Sequence, residues 1–129
     1  GNMLSTDYSF GTIGFFIKQA KAGKDITLYG GGDTKRTFTH MEDLCYQRVQ
    51  GSMNKDSNGE IYNIGGQTLS LREAAEFVAK KFKTNVVAVE WPEKDFRIES
   101  NHTYFDDTKI RSLLCIGEYK QLQEFSKDL

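Results

Sequence analysis

Between Tyr29 and Arg36 the chain sets an aromatic ring, three consecutive glycines and two cations within eight residues, Tyr29-Gly30-Gly31-Gly32-Asp33-Thr34-Lys35-Arg36. Glycine reaches φ > 0 without a Cβ penalty and lets the backbone approach a ligand closely. Arg36 adds a planar fork of donors matched to phosphate or carboxylate oxygens. The same stretch also reads as a surface hairpin or loop with an incidental arginine, and spacing alone leaves both readings open. The glycines lack Gly-x-Gly-x-x-Gly spacing and the Gly-Lys-Ser/Thr ending of a phosphate loop, and the chain after them is predicted to be a strand. With no helix N-terminus behind the turn, anion binding there rests on Arg36, with Lys35 beside it.

A second arginine, Arg97, falls in a polar stretch after a predicted strand, where ligand-binding residues concentrate. Arg36 and Arg97 together have the chemistry to clamp a diphosphate, one from each side. The histidines, His40 and His102, have no partner at metal-ligand spacing, so no metal site is expected. His40 reads as a structural hydrogen-bonder at a strand end. Glu42, Asp43, Asp106 and Asp107 stand at predicted helix starts, where the dipole accounts for them. Ser5, Ser9, Ser57 and Ser70 have no activating pattern, and no tyrosine is followed four residues later by lysine. Cys45 and Cys115 sit in apolar helical patterns and are predicted to be reduced, buried thiols. No catalytic, metal-binding or cofactor-binding residue is assigned.

These residues need elements to hold them. Thr12 is expected to cap a helix carrying Ile13, Phe16, Ile17 and Ala20, with Gly23 ending it. Residues 25–29 read as a strand with Ile26 and Leu28 on one face, and residues 37–41 as a second. A helix over 42–50, a turn at 55–59 and a third strand at 60–64 follow. Ser70-Leu71-Arg72-Glu73 is a capping box, opening a helix with Leu71, Ala74, Ala75, Val78 and Phe82 as its buried stripe. A strand over 86–91 stops at Pro92. Asp106 or Asp107 caps a helix ended by Gly117, and a last short helix starts near Tyr119 and buries Leu122 and Phe125. The order predicts an α/β protein, a small mixed sheet with packed helices, forming a single domain over residues 1–129.

The 129 residues suffice for one modest core, with about two-thirds of the unfolded surface buried. At 38% hydrophobic and 27% charged, the composition is that of a globular protein. Seventeen basic against eighteen acidic side chains give a net charge of −1, which disfavours a nucleic-acid partner. No apolar run approaches the length of a membrane span, so no membrane partner and a cytoplasmic location are expected.

Three pieces in order resemble the C-terminal half of the extended short-chain dehydrogenase/reductase family, which includes NAD-dependent nucleotide-sugar epimerases and dehydratases. The first is the run from Asp25 through Tyr29, the glycines and Arg36 to Asp43, similar to the family's apolar strand, Gly-Asp-Gly, three variable positions and Arg-Asp. The second is Ile61-Tyr62-Asn63-Ile64-Gly65-Gly66 followed by Leu69-Ser70-Leu71-Arg72-Glu73. The third is Arg97, standing where Arg-x-Gly-Asp is usual, and then Asp106-Asp107-Thr108-Lys109. Three departures accompany them: Gly31 replaces the Asp of Gly-Asp-Gly, Thr37 replaces the Asp after the arginine, and Ser100 stands where an acid is usual.

The resemblance implies a substrate-binding portion of a Rossmann-type enzyme without its nucleotide-binding half. On that reading Arg36 and Arg97 contact the diphosphate of a nucleotide sugar. Residues 26–29, with Leu28 and Tyr29 foremost, line the nucleoside pocket, and Ser100 offers one hydrogen bond. Asn63 and Asp43 are structural. NAD is expected for the full-length enzyme, held with its Tyr-x-x-x-Lys pair by the absent half, so this polypeptide is expected to be inactive alone. The other reading, from a different class, is a non-catalytic interaction module or truncated gene product that self-associates as a homodimer. Its candidate faces are Phe15/Phe16 and Leu44/Val49.

Overall fold

The computed structural model describes residues 11–93 and 101–125. Their order is α1 (Thr12–Lys21), β1 (Ile26–Tyr29), a 3-10 turn (Gly30–Gly32), β2 (Lys35–Phe38), α2 (Met41–Met53), a 3-10 turn (Lys55–Ser57), β3 (Gln67–Ser70), α3 (Leu71–Phe82), β4 (Val86–Val89), α4 (Thr108–Leu114) and α5 (Leu122–Phe125). The expected α/β class is what the chain adopts. It divides into two compact units, one from residues up to Lys35 plus Leu69–Asn101, the other from Arg36–Thr68 plus His102 onward. β2 and β3 form a two-stranded sheet within which the chain passes from one unit to the other.

The first unit is built on β1 and β4, paired in parallel from Ile26↔Val86 to Tyr29↔Val89. Parallel strands need a long crossover, and α3 supplies it, packing on both strands and on α1. The period-2 pattern holds: Ile26 and Leu28 are buried while Thr27 and Tyr29 face outward. Phe16, Ile17 and Ala20 of α1 meet Ala74, Ala75, Val78 and Ala79 of α3 in one core. Full burial of a side chain such as Ile17 or Val78 contributes about 1.5–3 kcal/mol. The strands start in register because Asp25 Oδ1 accepts from both the backbone N and Nδ2 of Asn85. Gln19 Oε1 accepts from the Thr27 N–H at 3.1 Å, tying α1 to β1.

Helix α1 is capped at Gly11, not at Thr12. The Gly11 carbonyl accepts from Phe15 N at 2.8 Å, which makes Thr12 the first helical residue, and no side chain caps the end. The predicted box on α3 forms in full. Ser70 Oγ accepts from Glu73 N at 3.1 Å, and Glu73 Oε2 accepts from Ser70 N at 2.7 Å. These bonds hold the Glu73 carboxyl below the usual carboxylate range, and the charge of Lys35 adds slightly.

In the second unit α2 packs on α4, and the buried side chains among the described residues are Gln47, Ile110 and Tyr119. The third strand expected at 60–64 does not form; the strand begins only at Gln67. A strand requires a partner ladder, and residues 61–65 are held by bonds that involve side chains instead. Lys109 Nζ donates to the Ile61 carbonyl, and Asn63 Nδ2 donates to Asp106 O. Gln47 acts as a one-residue ladder for Gly65: its Oε1 accepts from Gly65 N at 2.8 Å and its Nε2 donates to Gly65 O at 3.1 Å. Gly65 must be glycine, because a Cβ there would stand 2.0 Å from Asp107 Oδ2 and 2.1 Å from the Tyr119 hydroxyl.

Three further expectations change. The second strand lies at 35–38, and β1 pairs with β4 while β2 pairs with β3, so the glycine turn closes no hairpin. Helix α4 stops at Leu114 with Cys115 in the left-handed region (φ 51), two residues before Gly117. Both cysteines are exposed, not buried. Cys45 shares an i, i+4 row with exposed Met41, Val49 and Met53, on a face of α2 away from Gln47, and Cys115 lies past the end of its helix. Phe125 ends α5; Leu122 is half-buried.

Candidate functional site

The clearest convergence of chemistry lies in the first unit, where β1 and β4 both deliver their carboxyl ends to the same edge. In open parallel sheets ligands bind beyond those ends. From β1 the chain enters Gly30, Gly31 and Gly32, all at positive φ (58°, 84° and 78°). From β4 it continues through Glu90 to Trp91 and Pro92. The Tyr29 and Trp91 rings meet with centroids 5.0 Å apart and planes tilted by 33°. This aromatic pair suits a planar ligand.

Sterics explain the glycines one by one. A Cβ on Gly30 would lie 2.3 Å from Trp91 Nε1, so the indole edge packs on the bare backbone. A Cβ on Gly32 would lie 2.6 Å from Leu28 Cδ1 and 3.1 Å from Arg72 N. At Gly31 the nearest group is the Arg72 guanidinium at 3.6 Å, an ordinary contact. The turn is pinned to the start of α3 by Leu71 N donating to Thr34 O at 2.9 Å. The turn is therefore approached by an indole at Gly30 and by a guanidinium at Gly31.

The predicted site residues fall as follows. Leu28 is buried beneath the turn and Tyr29 is 45% exposed beside Trp91. Arg36 is half-buried on β2 in the second unit, where it bridges in parallel to Thr103. Next to it, Thr37 Oγ1 accepts from Phe105 N. Arg97 and Ser100 lie outside the described residues. His40 has the structural role expected: its Nδ1 accepts from Glu42 N at 3.2 Å and caps α2. Sequence reasoning missed Trp91 and Arg72. Each stands within two residues of an element end on the carboxyl side of the strands, a signal visible only once β1 and β4 are known to be parallel neighbours.

The second unit has an open cleft of about 280 Å³ lined by Asp43, Tyr46, Gln47, Cys115 and Tyr119. Asp43, Gln47 and Tyr119 are engaged in structure. Asp43 Oδ2 accepts from Lys120 N at 2.8 Å, Gln47 holds Gly65, and Lys120 pairs with Glu42. Burial pushes the Tyr119 phenol up to about 12, reinforced by its hydrogen bond to Asp107. Such a group is neither an acid nor a base near neutrality.

The model of the NAD dependent epimerase/dehydratase family matches residues 7–65. Over 107 residues, 79% of the chain, the sequence is 32% identical to a dTDP-glucose 4,6-dehydratase of Streptomyces niveus. The chain belongs to the NAD-dependent epimerase/dehydratase family, the extended short-chain dehydrogenases/reductases. A second member, a UDP-N-acetyl-alpha-D-glucosaminuronate decarboxylase of Bacillus cytotoxicus, is 37% identical over 67 residues, 51% of the chain. The chain spans 30% and 21% of the lengths of these two relatives. In fold it is similar to the UDP-glucose 4-epimerase of Thermotoga maritima, solved with UDP-glucose. That match has a TM-score of 0.76 at 20% identity and covers 98% of this chain and 40% of the other. Among the described residues no helix is long and apolar enough to cross a membrane.

Proposed function

We propose that this chain is the sugar-nucleotide-binding portion of an NAD-dependent epimerase or dehydratase. The observation that carries this reading is the Tyr29–Trp91 pair beside a positive-φ glycine turn, at the carboxyl ends of two parallel strands, in a member of this family. Tyr29 covers the nucleobase, with Leu28 supporting the turn from beneath. Arg36 and Arg97 hold the diphosphate, where two guanidinium forks satisfy the non-bridging oxygens. Ser100 offers a hydrogen bond to the ribose. The nucleotide sugars in the names of the family relatives support this substrate class.

NAD supplies the redox chemistry of the whole enzyme, and the glycine turn does not fit it. The turn leads through Asp33 into β2, not into a helix whose N-terminus would receive a pyrophosphate. The cofactor is therefore assigned to a part of the enzyme outside this chain, and the chain by itself is inactive. Titrating UDP-, GDP- and dTDP-sugars into the complete polypeptide that carries these residues tests the reading. One series binds, and Arg36→Ala weakens it at least tenfold, as expected for loss of a charge-assisted contact. If Arg36→Ala weakened none of them, its assigned role would be wrong.

The second reading is a self-associating module. The row Met41, Cys45, Val49 and Met53 on α2, together with Ile61 at 87% exposure, favours it. Exposed apolar surface of this kind is a common mark of an interface.

A further inference from the structure

We propose that Arg72 is an additional anion contact of this site, meeting an anionic oxygen of the ligand seated on the glycine turn. The proposal rests on the nucleotide-sugar reading above. The bond from Leu71 N to Thr34 O fixes the first turn of α3 against the glycines. As a result the Arg72 guanidinium lies 3.6 Å from where a Gly31 side chain would begin. Glycine at this position leaves no side chain beneath the fork.

The acids nearby do not occupy the guanidinium. Its ion pair is with Glu76, one turn along α3, at 4.0 Å, beyond hydrogen-bond length, and both side chains are substantially exposed. Such a pair contributes little and is screened by salt. Glu73 is turned into the capping box, where Ser70 holds its carboxylate. Asp33 is exposed at the end of the turn, and among the described residues no ion pair joins it to Arg72. Arg72 thus presents a loosely held cation at Gly31, next to a backbone that a ligand can approach closely. Two parts of a nucleotide sugar carry the required chemistry, the diphosphate and an acidic group on the sugar.

Calorimetry on the complete polypeptide distinguishes them, with uridine, UDP, UDP-glucose and UDP-glucuronic acid as probes and GDP- and dTDP-glucose alongside. Arg72→Gln, at a side chain 41% exposed, keeps the fold. It should weaken UDP and UDP-glucose about tenfold and leave uridine unchanged if the diphosphate is the partner. Loss confined to UDP-glucuronic acid assigns the contact to the sugar carboxylate, and either result supports the proposal. Gly31→Asp, which brings a competing carboxylate to the fork, should weaken the same probes more than neutral Gly31→Asn. If Arg72→Gln binds every probe like the unsubstituted protein while Arg36→Ala loses affinity, the proposal is overturned and the nucleotide-sugar reading stands. Equal loss for uridine overturns it as well, and an unsubstituted protein that binds no probe overturns both.

Discussion

At the scale of single residues, position decides what a glycine is for. Gly32 and Gly59 have nearly the same φ, 78° and 77°, yet a Cβ on Gly32 strikes Leu28 and Arg72 while one on Gly59 meets open space. Gly59→Ala is expected to cost about 1 kcal/mol, from backbone strain alone. Gly32→Ala should cost about 2–4 kcal/mol, because overpacking adds to the strain. Denaturant midpoints for the pair measure the difference. Tyr119 gives a pH signature. Its phenol is held at about 12 against an ordinary 10, so the folded state retains a proton that the unfolded state releases first. Its contribution is fully present below pH 10 and is lost as pH rises through about 12. Stability measured over that window should fall less in Tyr119→Phe than in the unsubstituted protein.

At the scale of elements, the segment 60–66 shows that strand-like patterning does not make a strand. Ile61, Tyr62 and Ile64 are residues favoured in strands, but backbone groups pair only where a neighbour runs alongside. The Gln47 amide takes that part for Gly65. Gln47→Leu leaves the Gly65 N–H and C=O without these partners, at a cost of about 2–4 kcal/mol. A loss under about 0.5 kcal/mol on chemical denaturation would show that this bridge does not hold the segment. Ser70 and α3 are the opposite case. The capping box depends on residues three apart, so it was legible from Ser70 and Glu73 alone and forms as expected.

At the scale of the molecule, the row on α2 and the exposed Ile61 predict concentration-dependent self-association of the isolated chain, read by sedimentation at several concentrations. Val49→Glu together with Met53→Glu should shift it toward monomer, since both side chains are exposed and tolerate charge. An isolated chain that stays monomeric at every concentration removes the support for the second reading. Calorimetry with NAD should give no binding. Tight binding by a monomer would overturn the assignment of the cofactor to another part of the enzyme.

Local rules were enough for the class of the fold, the Ser70–Glu73 cap, the alternation of Ile26 and Leu28, the role of His40 and the family itself, since each depends on residues near one another in sequence. Tertiary structure alone decided that β1 neighbours β4 across sixty residues of register, and hence that Trp91 reaches Tyr29 and Arg72 reaches Gly31. It also decided that Cys45 and Cys115 face outward. Apolar spacing shows that a helix has a buried side, but α2 is apolar on more than one side. Which side turns inward is set by the partners it finds, here Gln47 bonded to Gly65, and no local pattern encodes a partner that distant.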